Sequence, residues 1–92
     1  MAKFEIHGTF NVSERGTAFL GIVLESIINS GDHIRFDFKG KRLDRRIKEL
    51  EFVRSENQEH IGIMLGSPNK SEDSDLFRDW EPNKTIGITS KH

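Results

Sequence analysis

Six cationic side chains fall within ten residues of this sequence. They are interrupted by one acid, Asp44, and they are Lys39, Lys41, Arg42, Arg45, Arg46 and Lys48. Lysine and arginine at this density can bind phosphate groups, so the segment predicts a contact with an RNA backbone. The alternative is a solvated basic hairpin that balances the acidic residues further along the chain, because alternation along a strand directs these cations to both faces.

Motifs for nucleotide hydrolysis and for nucleophilic catalysis are absent from the sequence. No Gly-x-x-x-x-Gly-Lys-Ser/Thr loop is present to cradle phosphates, so we expect no binding of GTP or ATP. No Gly-x-Ser-x-Gly elbow is present for a serine nucleophile. The four histidines, at positions 7, 33, 60 and 92, lack the spacing of paired metal ligands, and His7 is expected to be a solvated surface residue. The sequence therefore predicts a protein that is not an enzyme and holds no metal or cofactor.

Length and composition indicate one small folded domain spanning residues 1–92. Hydrophobic residues make up 34% and charged residues 32% of the chain, and seven phenylalanines supply large apolar surfaces for a core. The absence of cysteine excludes disulfide bonds and Cys-ligated zinc. No stretch approaches the length of a membrane span, and the charged start is not typical of a signal peptide. We therefore expect a cytoplasmic protein without a membrane partner.

Charge is distributed unevenly along the chain. Residues 1–48 carry nine basic and six acidic side chains, whereas residues 49–92 carry five basic and nine acidic ones, and the net charge is −1. This near-neutral total does not require a polyanionic partner, although the basic segment could meet one locally.

Alternation of apolar and polar residues predicts strands through most of the chain. It is clearest at the start, where Phe4, Ile6 and Phe10 alternate with polar side chains. Further short apolar runs are separated by turn signals such as Gly31-Asp32 and Lys39-Gly40-Lys41. We predict six strands, near residues 3–12, 17–25, 32–39, 42–53, 60–66 and 84–89.

Along the fourth predicted strand, the apolar residues that should face inward change from odd-numbered to even-numbered positions. Leu43 and Ile47 are odd-numbered, whereas Leu50 and Phe52 are even-numbered. A β-bulge near Lys48–Glu49 would reconcile the two patterns. A helix through residues 43–50 is the alternative, because the same spacings fit one helical face. The neighbouring strands favour a strand here as well.

Six short strands without a long helix are typical of a small barrel. Residues 67–75 are predicted to form a loop or a single helical turn, after which Leu76, Phe77 and Trp80 should pack against the barrel. The fold prediction is an all-β, closed, mostly antiparallel six-stranded Greek-key barrel. From alternation we expect a core that contains Phe4, Ile6, Phe10, Phe36, Phe38, Phe52 and Ile63.

Four short motifs carry a resemblance to a known family. They are Arg15-Gly16-Thr17, Gly21-Ile22-Val23, Ile28-Asn29-Ser30-Gly31-Asp32 and Ile61-Gly62-Ile63-Met64-Leu65. In these motifs and their separations the chain resembles the second, β-barrel domain of elongation factor Tu and related translational GTPases. The resemblance covers residues 4–66 and, more loosely, 76–89. It implies a barrel of the elongation factor Tu domain 2 type that stands without the GTPase domain.

The same resemblance implies a binding pocket at the barrel rim. In elongation factor Tu this domain holds the 3′-terminal adenosine of aminoacyl-tRNA, and by resemblance the walls would be Val12, Ala18 and Met64, with Glu51 and Arg54 as the polar pair. A carboxylate can accept a hydrogen bond from a base or ribose, and a guanidinium can meet a phosphate. The alternative is that Glu51 and Arg54 are ordinary strand charges.

The leading functional hypothesis is a non-catalytic binding module that contacts RNA, either a tRNA 3′ end or ribosomal RNA, or the ribosome. The basic segment and the pair Glu51 and Arg54 favour it. The alternative is a protein-interaction module that kept the barrel and lost RNA binding. The near-neutral charge and the acidic second half of the chain favour this alternative.

Overall fold

Six strands and one short helix account for most of the residues that the structure describes. The structure is a computed structural model, and it describes residues 2–12, 16–55, 58–66 and 70–91, with the backbone alone at residues 12, 53, 55, 58, 70 and 71. In chain order the elements are β1 (Ala2–Val12), β2 (Gly16–Glu25), β3 (His33–Phe38), β4 (Lys41–Ser55), β5 (Gln58–Gly66), α1 (Lys70–Phe77) and β6 (Thr85–Ser90).

The strands close into an antiparallel barrel with the order β1-β2-β5-β4-β3-β6. The hairpins β3–β4 and β4–β5 place three consecutive strands side by side, and β2 returns to lie beside β5, which is a Greek-key arrangement. Strand β6 pairs with both β1 and β3 and so closes the barrel. The predicted fold class is confirmed, and each strand begins and ends within two residues of its predicted bounds.

The core fills the barrel and extends to the helix at one end. Of the predicted core residues, five are buried: Phe4, Ile6, Phe36, Phe38 and Ile63. Helix α1 ends at Phe77, whose ring is buried against Phe19, Phe36 and Phe38 with ring centroids 5.2 to 5.9 Å apart. Trp80 packs on the same rings. Aromatic pairs at these separations stabilise a core beyond the area they bury. The predicted packing of the segment after residue 75 is confirmed.

The other end of the barrel is closed by the loop between β2 and β3. Ile28 and Asp32 are both buried there, and Asp32 accepts a hydrogen bond from the backbone N–H of Asn29 at 3.0 Å. Gly31 has a φ of 94°, a left-handed conformation that favours glycine. The Ile-x-x-Gly-Asp motif therefore covers this end of the barrel with a buried isoleucine. Its glycine and aspartate form the turn that precedes β3.

Gly21 allows β1 and β2 to approach each other closely. A Cβ atom at this position would lie 1.9 Å from the backbone oxygen of Glu5 and 2.9 Å from the ring of Phe4. No side chain fits in that space, which explains the need for glycine in the middle of an otherwise apolar strand.

The prediction that Phe10 is buried was wrong. The pairing of β1 with β2 shifts register between Ile6 and Gly8, so His7 is an extra residue in a β-bulge. Beyond the bulge the inward and outward positions exchange, and Phe10 points to the outer face with 54% of its surface exposed. The apolar pattern of β1 contains no break at His7, and alternation alone therefore gave the wrong face.

The prediction that Phe52 is buried was also wrong, for a different reason. The predicted bulge in β4 is confirmed, since the register shifts between Ile47 and Glu49. Beyond it Leu50 packs on the core and Phe52 follows on the same face. Strand β2 pairs with β5 only from Ile61 onward, however, and Phe52 lies opposite Ile61 at the end of the covered rows. Phe52 is 80% exposed because the β4–β5 hairpin continues past the strands that would cover it.

Candidate nucleic-acid interface

The basic segment forms a tight hairpin between β3 and β4, which we call the basic hairpin and define as Lys39, Lys41, Arg42, Arg45, Arg46 and Lys48. The turn residues Lys39 and Gly40 have φ values of 49° and 83°. Two consecutive residues with positive φ are typical of the two-residue turn that matches the twist of a hairpin. Pairs from Phe38 opposite Lys41 to His33 opposite Arg46 then fix the register.

The outward face of this hairpin carries acids among its cations. Arg42 donates a hydrogen bond to Asp37 at 2.8 Å. Asp44 lies between His33 and Arg35, whose side-chain nitrogens are 2.7 and 3.0 Å from its two carboxylate oxygens. Burial raises the pKa of Asp44, but hydrogen bonds and positive charge from His33 and Arg35 outweigh this and lower the pKa below its usual value. This carboxylate stays charged and offsets part of the positive field.

Arg45 points to the opposite face and is held by the helix. Its Nε and Nη2 atoms donate to the two carboxylate oxygens of Asp73 at 3.0 Å each, a bidentate pair. Asp73 is 2% exposed and lies in the first turn of α1. Because Arg45 pairs with this buried carboxylate, the guanidinium group of Arg45 stabilises the fold and is not available to bind an external phosphate.

Four cations of the basic hairpin are exposed and make no ion pair with another described residue: Lys39, Lys41, Arg46 and Lys48. The ammonium group of Lys39 lies 5.3 Å from the centre of the Phe38 ring, which holds it near the turn. The expectation that alternation spreads the cations over both faces is met by Arg42 and Arg45. The exposed four are nevertheless grouped along one hairpin.

Three of the five residues of the predicted pocket lie near one another on the outer face of β2, β5 and β4. Ala18 pairs directly with Met64, and Glu51 follows on the same outer face, opposite Gly62. Met64 is 8% exposed, so little of its surface is available as a pocket wall. The side chain of Val12 lies outside the described residues.

Arg54 lies away from the other members of that predicted pocket. Strand alternation directs Glu51 and Arg54 to opposite faces, because they are three residues apart in a regular stretch of β4. Arg54 donates a hydrogen bond to Glu59 across the hairpin at 2.7 Å, and both side chains are mostly exposed. Binding of a 3′-terminal adenosine by these residues stays a prediction.

A histidine pair at the β1 bulge was not anticipated from the sequence. His7 lies 2.6 Å from a carboxylate oxygen of Glu5, and its ring packs edge-on against His60 with centroids 5.6 Å apart. His7 is half-buried, not fully solvated as expected. The bulge that brings His7 close to His60 of β5 could not be recognised from the alternation of apolar and polar residues in β1. Among residues 2–12, 16–55, 58–66 and 70–91, no three His, Asp or Glu side chains are grouped as metal ligands.

An open groove of about 700 Å³ lies between the β1 bulge and the chain that follows α1. Its lining includes His7, Thr9, Trp80 and Lys84. Acidic and basic side chains both contribute, since Arg78, Asp79 and Glu81 belong to the same lining. The groove has no single charge that would select an anionic or a cationic ligand.

Comparison with protein-family models, curated proteins and solved structures finds no match to this chain. Within the part of the chain that the structure describes, no helix has the length and apolar composition needed to cross a bilayer. The family resemblance therefore depends on the sequence motifs and on the barrel itself.

Proposed function

We propose that this domain is a non-catalytic binding module that contacts RNA through the basic hairpin. The observation that carries the proposal is the group of four exposed cations on one hairpin that have no ion pair among the described residues. Exposed cations cost little to bring to a phosphate, because no existing ion pair has to break first. Arg42 adds a fifth exposed cation, although it is shared with Asp37.

The resemblance to the second domain of translational GTPases supports the choice of RNA as the partner. Relatives in that group use loops of this barrel to touch ribosomal RNA, and a closed six-stranded antiparallel barrel is what the resemblance implies. Two of its motif glycines have the local roles that such motifs need, Gly21 at a close strand approach and Gly31 at positive φ. Phosphate contacts by a hairpin would be largely independent of sequence, since they read the backbone and not the bases.

The test measures binding of a single-stranded RNA, ending in CCA, by fluorescence anisotropy over a salt series. A triple variant, Lys39→Gln, Lys41→Gln and Arg46→Gln, removes three exposed cations from the basic hairpin. We expect weaker binding and a salt dependence flatter by roughly two slope units, at about 0.7 per lost phosphate contact. Arg45 is left unchanged, because its substitution would disturb the buried contact with Asp73.

A matched control removes the same charge elsewhere. Lys3, Lys84 and Lys91 are exposed and lie outside the basic hairpin, so their triple Gln variant has the same net charge as the test variant. It should keep most of the wild-type affinity and salt slope. Equal losses in the two variants would show a non-specific effect of total charge, and the proposed surface would be wrong.

A protein-interaction module is the second candidate, and exposed apolar side chains favour it. Ile27, Phe52 and Phe10 expose 75%, 80% and 54% of their surfaces. If the wild-type protein binds neither tRNA, nor the CCA-ended oligonucleotide, nor ribosomal subunits at low salt, RNA binding is excluded and this candidate takes the lead.

A further inference from the structure

The open groove of about 700 Å³ has an aromatic side chain on each of its walls. His7 belongs to β1, and Trp80 belongs to the chain that follows α1. Neighbours hold both rings in place. A ring nitrogen of His7 lies 2.6 Å from a carboxylate oxygen of Glu5, and Trp80 packs against four phenylalanine rings. Rings that are already fixed lose little conformational entropy when a planar ligand binds against them.

The groove also contains hydrogen-bonding groups that the fold does not use. Trp80 is half-buried, and its indole N–H donates to no other described residue. Asn83 is exposed, and its side-chain amide makes no hydrogen bond within residues 2–12, 16–55, 58–66 and 70–91. An amide supplies a donor and an acceptor side by side, a pattern that the edge of a nucleobase can complement.

A tight turn presents Asn83 at the rim of the groove. Asn83 and Lys84 have φ values of 48° and 63°, and the backbone N–H of Thr85 donates to the carbonyl oxygen of Pro82 at 2.9 Å. Two consecutive left-handed residues enclosed by such a bond are typical of a type I′ turn. Pro82 is buried, so the turn is anchored to the domain and the position of Asn83 is set by the backbone.

The charges of the groove favour a neutral ligand. Arg78 and Lys84 are balanced by Asp79 and Glu81 in the same lining, and Arg78 also donates to Asp75 at 2.6 Å. A charged group would meet attraction and repulsion in similar measure. A neutral, planar group with donors and acceptors on its edge avoids this conflict, and the bases of single-stranded RNA are groups of this kind.

The groove lies close to the basic hairpin. The ammonium group of Lys39 lies 5.3 Å from the centre of the Phe38 ring, and the centre of that ring lies 5.1 Å from the centre of the Trp80 ring. Lys39 and Trp80 are therefore at most 10.4 Å apart, the sum of the two distances. This separation corresponds to roughly three nucleotides of a stacked strand at about 3.4 Å each, so one short stretch of RNA can reach both.

We infer that the groove is a nucleobase subsite, in which a base of the strand bound by the basic hairpin lies against Trp80 and His7 with its edge toward Asn83. The subsite depends on the proposed function, because the basic hairpin supplies the phosphate contacts that bring the strand to the groove. Aromatic contact with a base tolerates any sequence, whereas the amide of Asn83 adds a preference among the bases.

Trp80 is the only tryptophan of the chain, so its fluorescence reports directly on this groove. Two probes are compared by anisotropy and by tryptophan emission, the CCA-ended oligonucleotide and a ribose-phosphate chain of the same length without bases. The oligonucleotide should quench the emission and bind about 5- to 150-fold more tightly than the base-free chain, the factor that one base–aromatic contact contributes. The base-free chain should leave the emission nearly unchanged.

A pair of glycine variants tests the role of the amide. Asn83→Gly removes the side chain and keeps the turn, because glycine adopts a φ of 48° without strain. It should weaken binding of the oligonucleotide by roughly 3- to 10-fold and leave binding of the base-free chain unchanged. Ser26→Gly is the matched control, since Ser26 is also exposed, has a φ of 62° and lies outside the groove. It should change neither affinity.

Three results would each overturn the nucleobase subsite and leave the basic hairpin as the RNA surface. They are equal affinity for the two probes, unchanged Trp80 emission at saturation with the oligonucleotide, and the same loss of affinity in Asn83→Gly and Ser26→Gly. If neither probe binds at low salt, the subsite and the proposed function are both wrong.

Discussion

Both halves of β4 alternate inward and outward side chains, with a change of parity at the bulge between them, but the two halves differ in what covers their inward side chains. In the first half Leu43 packs on the core. Arg45 lies on the same face and is covered by α1, with which it makes an ion pair through Asp73. In the second half Leu50 still packs on the core, but Phe52, two residues on, is left in solvent. Alternation thus decides the face of a strand on which a side chain lies. Burial depends in addition on a second element that reaches that face.

The largest expected contrast is between the two phenylalanines on inward positions of β3 and β4. Phe36 is 1% exposed and touches the rings of Phe19, Phe77 and Trp80. We expect Phe36→Ala to lower the free energy of unfolding by about 3–5 kcal/mol, through lost burial and the cavity left behind. Phe52→Ala should change it by less than about 0.5 kcal/mol, as for an ordinary surface substitution.

Chemical denaturation of both variants, measured at one protein concentration, tests that contrast. A loss below about 1 kcal/mol for Phe36→Ala would mean that the residue is not in the core. A comparable loss in both variants would mean that Phe52 is covered in the folded monomer.

A smaller contrast is expected between the two ion pairs that β4 makes with other elements. Asp73 is buried and holds Arg45 in a bidentate pair, whereas Glu59 and Arg54 are both more than 70% exposed. Asp73→Ala should cost about 2–3 kcal/mol, because it leaves a partly buried guanidinium without its partner and α1 without its link to β4. Glu59→Ala should cost about 0–1 kcal/mol.

Thermal unfolding in low and high salt distinguishes the two pairs further. Salt screens an exposed pair and has much less effect on a buried one, so the small effect of Glu59→Ala should vanish at high salt while that of Asp73→Ala persists. If both effects disappear with salt, the contact between β4 and α1 contributes little to closing that end of the barrel.

The smallest expected effect is the pH dependence at Asp44. Its pKa is lower in the folded state than the ordinary value of 3.8, so the folded state binds fewer protons here than the unfolded state does. The stabilisation is therefore complete above about pH 4 and is lost as the pH falls through the lowered pKa. Asp44→Asn should unfold more easily than the wild type at neutral pH, and the difference should shrink in acid. A difference that does not change with pH would place its origin in packing and not in the charge.

The fold could be predicted from the sequence because several independent signals agreed. Alternation in β1 and β3, turn chemistry at Lys39-Gly40 and the parity change in β4 each indicated the same barrel, and the bulge between Ile47 and Glu49 followed from that parity change. The bulge at His7 could not be found in this way. Phe4 and Ile6 before the bulge and Phe10 after it are all even-numbered, so the apolar alternation continues across it without a change of parity. A bulge is visible in a sequence only when the apolar residues change parity with it.

The candidate interface was predictable in composition but not in pairing. The basic hairpin was evident from its six cations, yet nothing in the sequence showed which cations would be taken by acids. Arg45 and Asp73 are 28 residues apart, and Asp73 is one of several acids in that stretch. The choice depends on where α1 docks, which is a property of the folded barrel.

The way in which β6 closes the barrel has a consequence for the folding reaction. Ala2 pairs with Thr89, whereas the hairpins β1–β2, β3–β4 and β4–β5 join strands that are separated by a few residues. Closing a long loop costs more chain entropy than closing a short one, so the hairpins should form early and β6 should dock last. Until it docks, β1 and β3 both present unpaired edges. The nearly complete barrel is then the species most exposed to aggregation during folding.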